Sequence, residues 1–398
     1  MKQNFMFTSE SVTEGHPDKL CDLISDAIVD RFLLLDPFTN IVAECAVSTG
    51  ILFVAARFDN GINVDIPNLA RQVIQEIGYD ESTFDAKTCS VMTSLQRSPR
   101  NTYVNKDESD MDDEEIERTP ARNQVTLFGF ACKQTPALMP LPIWLAHKLA
   151  RRLTTARLEQ QLPYLGADGS TQIGVEYRNR RPHRIHSITL VASERVDESR
   201  DLKTLRDDLM QTVIEPAFID EPVKPDRDTR IFINPEGPFI GGGPPTHSGL
   251  TGRKNAIDTY GEYSRHSGSA LSGKGPGRID RIGAYAARYA AKNIVAANVA
   301  DECEVQLSYT IGLSRPVSVQ VETFGAGKVD DATLASLIET HFDFRPAAII
   351  RQFNLRRLPA LRKASFYQKL AAYGHVGRMD LNLPWEAVDK AESLLQRL

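Results

Sequence analysis

Residues 17–58 read PDKLCDLISDAIVDRFLLLDPFTNIVAECAVSTGILFVAARF. From Pro17 to Leu35 the apolar residues Leu20, Leu23, Ile24, Ala27, Ile28 and Phe32 recur at helical spacing, and Pro17 suits the first turn of a helix. The runs IVAECAVSTG and ILFVAARF that follow are rich in β-formers and meet at Thr49-Gly50, which predicts a hairpin. A helix feeding a hairpin, repeated along a chain, builds mixed sheets covered on one face by helices, an α+β arrangement.

Outward from this unit the same alternation continues. Ile66–Ile77 predicts an amphipathic helix and Pro142–Gln161 another; RIHSITLVAS and TRIFINP read as strands; Asp280–Ala300 is a long alanine-rich helix; VQLSYTIGL and VSVQVETF return to β. No strong sequence repeat is visible. Residues 101–120 carry eight acids in twenty positions and almost no large apolar side chains, so they read either as a solvated linker or as a lid over a site.

At 398 residues the chain calls for two to three domains, and 41% hydrophobic with 25% charged residues is ordinary for a globular protein. A net charge of -5 argues against nucleic acid as the partner. The absence of a long apolar run gives no membrane span and a cytoplasmic expectation. Five scattered cysteines without a CxxC pair suggest neither a disulfide framework nor a zinc site, and read as reduced core thiols.

Chemistry concentrates in residues 234–281, where many glycines alternate with Arg253, Lys254, Arg265, Lys274, Arg278 and Arg281. Glycine admits a ligand close to the backbone and the cations neutralise anionic oxygens, so a phosphate cradle is expected. It is not a P-loop of the usual kind: Gly268–Lys274 matches the first part of that pattern, but Gly275 stands where Ser or Thr is required. His16, Asp18 and Lys19 lie at a predicted helix start, which already favours anions. Asp18 and Asp280 are the carboxylates that would hold Mg2+ beside phosphate; Asp18 as a helix cap and Asp280 as a helix start are equally open readings.

The segments FTSESVTEGHPDK, GLTGRK with DTYG, RHSGSALSGK, DRIGAYAARYAAKNIVAA, VSVQVETFG and AAYGHVGR with PWE strongly resemble the methionine adenosyltransferases (S-adenosylmethionine synthetases), in order and across nearly the whole chain. The resemblance implies three pseudo-symmetric α+β domains, taken here as 3–101, 121–239 and 240–386 with the acidic segment 102–120 between the first two. It also implies a homodimer or homotetramer with sites at the subunit interface. The implied reaction transfers the adenosyl group of ATP from C5′ to the sulfur of methionine, giving S-adenosylmethionine, pyrophosphate and phosphate.

By the same resemblance His16 would sit at the leaving oxygen, and Lys19, Arg253, Lys254, Lys274 and Arg278 would hold phosphates. Phe239 would stack on adenine; Asp18 and Asp280 would bind Mg2+, two ions per site; and Glu44 would bind K+. The acceptor pocket would contain Arg57, Arg97, Arg100, Asn123, His247 and Ile311.

That pocket departs from the family pattern. GAGDQG reads PARNQV here, bringing in Arg122, Asn123 and Val125; an aspartate is replaced by His247, a glutamate by Arg57, and the KQSPD segment reads QRSPR with Arg97 and Arg100. Four acids are lost and, besides Arg122, three arginines gained, and a guanidinium attracts carboxylate or phosphate and repels an ammonium. The sequence therefore leaves three readings: S-adenosylmethionine synthesis through substituted contacts, a paralogue with a more anionic acceptor or another nucleotide, and a non-catalytic partner subunit.

Overall fold

The computed structural model describes residues 3–59, 61–81, 84–98, 106–362 and 365–397. Thirteen strands are present among them: β1 (Phe5–Val12), β2 (Ile41–Ser48), β3 (Ile51–Phe58), β4 (Asp80–Glu81), β5 (Phe84–Asp85), β6 (Ser90–Arg97), β7 (Val125–Cys132), β8 (Leu165–Arg178), β9 (Arg181–Glu194), β10 (Arg230–Ile233), β11 (Gly249–Leu250), β12 (Glu302–Tyr309) and β13 (Ser318–Glu322). Apart from the small β4–β5 pair they form three mixed or antiparallel sheets, ordered β11-β2-β3-β6, β1-β8-β9-β10 and β7-β12-β13. The α+β expectation is met.

Each sheet is built around a hairpin that follows a long helix. Helix α1 (Pro17–Leu35) precedes β2–β3, helix Leu141–Leu158 precedes β8–β9, and helix Ile279–Ala296 precedes β12–β13. In the first two sheets a further strand, β6 or β10, adds in parallel to the second hairpin strand. The outer strand on the other edge comes from elsewhere in the chain: β1 joins β8, β7 joins β12, and β11 joins β2. The first third lends a strand to the second, the second to the third, and the third to the first. A structural repeat is thus present where the sequence shows none.

Helix α1 and the 41–58 hairpin fall where the periodicity puts them, with Thr49 at positive φ in the turn. The predicted 142–161 helix ends at Leu158, because Gln160 takes a left-handed backbone, and the 280–300 helix ends at Ala296, short of left-handed Asn298. Residues 310–313 leave the sheet: Gly312 N–H donates to Ala121 O and Ala121 N–H to Leu313 O.

The acidic segment is not a loose linker over residues 106–118. It forms a short helix, Asp113–Glu117, opened by a capping box on Asp112, and Ile116 is buried against Ala347 and Ala348. Its acids meet arginines from the far end of the chain: Glu108 pairs with Arg356 at 2.7 Å in the interior, Asp107 with Arg357, and Asp113 with Arg345 at 2.7 Å. Residues 101–105 lie outside the described residues. All five cysteines are buried free thiols, and no described helix is long and apolar enough to cross a membrane.

Candidate active site

One edge of β2 lays out the glycine-rich segment. Gly249 and Leu250 pair with Val47 and Ala46, and Lys274 bridges to Val42. Both approaches depend on glycine: a Cβ at Gly249 would lie 2.1 Å from Pro17 O, and one at Gly273, whose φ is +79°, 2.0 Å from Ala43 O. Gly273→Ala is therefore expected to lose about 1–3 kcal/mol from the overlap alone, to be measured by urea unfolding; an unchanged midpoint would show that the loop relocates freely.

A second template comes from α1. Asp18, Asp22, Asp26 and Asp30 recur every four residues, share one face of the helix and are all buried. Asp18 accepts from Leu250 N–H (3.0 Å), Asp22 from Gly252 N–H (2.8 Å) and Asp26 from Gly273 N–H (2.8 Å). Buried carboxylates are tolerated only when so satisfied, and here they fix the backbone of the segment that carries the cations. Asp30 accepts from Tyr367 and Gln368 N–H.

The first cluster sits at the start of α1. His16 is the N-cap: its Nδ1 accepts the Asp18 N–H at 3.2 Å, so the neutral imidazole carries its proton on Nε2. Beside it, at 4.8 Å between ring centroids, lies His247, whose Nε2 is 2.9 Å from the buried Asp168 carboxylate, which also accepts Gly243 N–H. Arg253 reaches Asp18 at 3.1 Å and Lys254 reaches Glu10 at 3.0 Å. Phe239 approaches the same place, since a Cβ on Gly242 would meet both its ring and Asp168.

Burial lowers the His16 pKa to about 4 against the opposing pull of Asp168 and Asp18. His16 is thus an uncharged donor at neutral pH. Because the folded value is below the ordinary 6.5, the unfolded imidazole takes up a proton that the folded one refuses, and stability falls as pH drops from 6.5 toward 4. Ring-nitrogen NMR should show the Nε2–H tautomer and a midpoint of about 4; a midpoint of 6.5 would mean the ring is solvated.

The second cluster lies at the Lys274 end of β2. Asp280 is fully buried in the first turn of helix Ile279–Ala296, accepts from Asn123 Nδ2 at 2.6 Å and from Ser269 Oγ, and lies 3.5 Å from Lys274 Nζ. Burial pushes its pKa up, but Lys274, Ser269 and Asn123 more than offset this and hold it below the usual carboxylate range. Lys274 donates to Ser269 Oγ (2.9 Å) and Ala270 O (2.6 Å), and burial pulls its pKa down against Asp280.

Asp280 Oδ2 and Arg278 Nε are buried without hydrogen-bond partners, 3.9 Å apart. An orphaned carboxylate oxygen beside an orphaned guanidinium N–H is the donor set expected where a cation and an anionic oxygen insert together. This cluster opens on a groove of about 540 Å3 whose lining includes Glu44, Arg57, Arg122, Lys274 and Arg278. Ile311 is exposed on the turn that pairs with Ala121, two residues from Asn123.

The predicted site residues are therefore split. Gly249 and Lys274 meet β2 five residues apart, which is about 17 Å at roughly 3.3–3.4 Å per residue. His16, Asp18, His247, Phe239, Arg253 and Lys254 lie at one end; Asn123, Lys274, Arg278, Asp280, Glu44 and Arg57 at the other. Lys19 joins neither. Its side chain is 0% exposed and its ammonium is locked between Asp22 (2.9 Å) and Asp258. Burial pulls its pKa down, but those two carboxylates drive it above the ordinary value. It anchors α1 rather than opening on the groove.

Arg97 is also displaced, for it pairs with Phe58, one residue out of phase with Arg57, and so leaves the sheet from the opposite face, its guanidinium 5.7 Å from the Phe58 ring centroid. Arg100 lies outside the described residues. Asp18 is not the helix cap, since His16 is. The sequence reading missed Asp168, which has no local signal, and the ladder on α1, whose four-residue spacing of acids was visible.

Family models agree with this architecture. The chain matches the S-adenosylmethionine synthetase N-terminal domain over residues 4–99, the central domain over 118–239 and the C-terminal domain over 241–387, and belongs to that family. It is 49% identical to the S-adenosylmethionine synthase of Trichormus variabilis, over 100% of this chain and 97% of the relative. It is 50% identical to that of Nostoc punctiforme (100% and 96%) and 48% identical to that of Gloeothece citriformis (99% and 97%).

Proposed function

We propose that this protein is an S-adenosylmethionine synthase, transferring the adenosyl group of ATP to the sulfur of methionine. The observation that carries this reading is the end-to-end match, at about half identity, to relatives of that name. The C5′–O bond of ATP breaks, the C5′–S bond forms, and triphosphate leaves and is cleaved to pyrophosphate and phosphate. No protein nucleophile is needed; alignment of sulfur with C5′ and cations set against the leaving charge supply the rate. Neutral His16 donates from Nε2 to the leaving oxygen. Lys274, Arg278, Arg253 and Lys254 bind the phosphates, and Phe239 stacks on the base.

Asp280, with its orphaned oxygen, and Asp18 would hold Mg2+, two ions per site, and Glu44 would hold K+; these ions would supply positive charge against the triphosphate. The site is completed by a second copy of the chain. The open face of the β11-β2-β3-β6 sheet exposes Leu250, Ile51, Phe53 and Met92 beside Glu44 and Arg57. Pairing two such faces covers that apolar surface and sets the His16 end of one copy against the Lys274 end of the other, as a homodimer or a pair of dimers in the cytoplasm. Residues 3–101, 121–239 and 240–386 remain the proposed domains. A different acceptor or a non-catalytic role draws no support from relatives that share one name.

Mass spectrometry after incubation with ATP, methionine, Mg2+ and K+ tests the reaction. S-adenosylmethionine with stoichiometric pyrophosphate and phosphate is expected, whereas phosphate release without it would overturn the acceptor. Light scattering of a Phe53→Asp variant tests the assembly, and an unchanged dimer would remove this face from the interface.

A further inference from the structure

The groove at the Lys274 end holds more positive charge than its neighbours neutralise. Arg57 projects from the open face of β3 opposite Val42, and Lys274 bridges to the other side of the same Val42. The backbones that carry the two cations therefore lie two strand spacings apart, about 9–10 Å, and both side chains line the same groove. Arg122 is half-buried in the same lining, and burial pulls its pKa down with only Asp59 opposing. Asp59 is itself occupied, accepting the Asn40 N–H at 2.8 Å and the Asn40 side-chain amide. Among the described residues neither Arg57 nor Arg122 has a hydrogen bond or an ion pair.

Three other buried arginines each have a carboxylate partner: Arg281 has Asp26, Arg288 has Glu386, and Arg345 has Asp113 and Asp343. Two forks left open toward one groove are an anion site waiting for its anion: the half-buried Arg122 guanidinium lacks an acceptor that a carboxylate or phosphate would supply, and the exposed Arg57 fork stands free to close on the same anion. The pair shares the groove with the phosphate cluster but is not tied to its carboxylate. Arg278 and Lys274 already converge on Asp280, whereas Arg57 and Arg122 do not contact it. The substrates of the proposed reaction bring two anionic groups, one triphosphate and one amino-acid carboxylate, and the groove offers two sets of cations.

We infer that Arg57 and Arg122 clamp the α-carboxylate of the amino-acid substrate and set the preference of this enzyme for a free amino acid. The inference rests on the functional reading above. The clamp orients the amino acid through its carboxylate, with Asn123, the neighbour of Arg122, tying the clamp to Asp280 through the 2.6 Å bond.

The test uses the full-length enzyme and steady-state kinetics with L-methionine and with L-methioninamide, which keeps the ammonium and sulfur but lacks the carboxylate charge. Wild type should prefer methionine. In Arg57→Ala and Arg122→Ala the KM for methionine should rise about 10–100-fold, the worth of one charge-assisted contact, and the methionine-to-methioninamide ratio of kcat/KM should collapse by the same factor. Arg57 is exposed, so its variant keeps the test valid if Arg122→Ala misfolds. A rise in KM for ATP with discrimination intact would give these arginines to phosphate and overturn the clamp; unchanged discrimination in both variants would overturn it too. Failure of the wild type to make any S-adenosylmethionine would instead overturn the functional reading, and the clamp with it.

Discussion

Lys274→Ala is expected to slow triphosphate cleavage about 10²–10³-fold, equivalent to about 3–4 kcal/mol of transition-state stabilisation, with little change in overall folding. Lys274 is held from two sides, by Ser269 Oγ and Ala270 O, and lies 3.5 Å from Asp280, so its ammonium is positioned before any ligand arrives. A charge fixed in advance in a half-desolvated place is worth more against a developing anion than one that must reorganise. The loss stays partial because Arg278 still lines the groove. Phosphate release from tripolyphosphate under single-turnover conditions measures the step; a wild-type rate would remove Lys274 from it.

The largest stability effect is expected at Asp26. Its carboxylate receives Arg281 Nη2 at 2.6 Å on both oxygens and Gly273 N–H at 2.8 Å, with both side chains 0% exposed. Arg281 Nε and Nη1 already lack acceptors, and its guanidinium lies 4.6 Å from the Tyr367 ring centroid. Asp26→Ala leaves a buried cation without its ion-pair partner, which should cost about 3–5 kcal/mol. Adding Arg281→Met should recover much of that loss, since removing both members is far cheaper than removing one. Urea unfolding of the single and double variants reads the difference; equal losses would show that the pair is not coupled.

Helix α1, the 41–58 hairpin and the 66–77 helix were legible because their apolar spacing is dictated by packing on one face. Strand β8, LGADGSTQIGVEYR, was not. Its glycines and hydroxyls carry no β signal, and it is a strand because β1 and β9 pair with it on both sides. The acidic segment misled for a related reason: eight acids look solvated until Arg345, Arg356 and Arg357, more than two hundred residues later, fold back on them. Residue types at the site were readable, but their grouping was not. A local reading pools Arg253, Lys254, Lys274 and Arg278 because they are close in sequence, whereas the strand edge that receives them spreads them to opposite ends. Lys19 looked like an anion ligand at a helix start until Asp258, 239 residues away, claimed it.

The ring of lent strands bears on how the chain emerges from synthesis. The sheet around β2 and β3 lacks its outer strand until Gly249 and Leu250 have been made, and the edge of β2 stays open over that interval. Strand β1, made first, has no partner until β8 appears, more than one hundred and fifty residues later. Folding therefore closes late and as a whole, with long loops to be fixed before long-range pairing is gained. Fragments cut between thirds, including otherwise reasonable expression boundaries, each carry one orphan strand and one open edge, which is a recipe for aggregation rather than for a working domain.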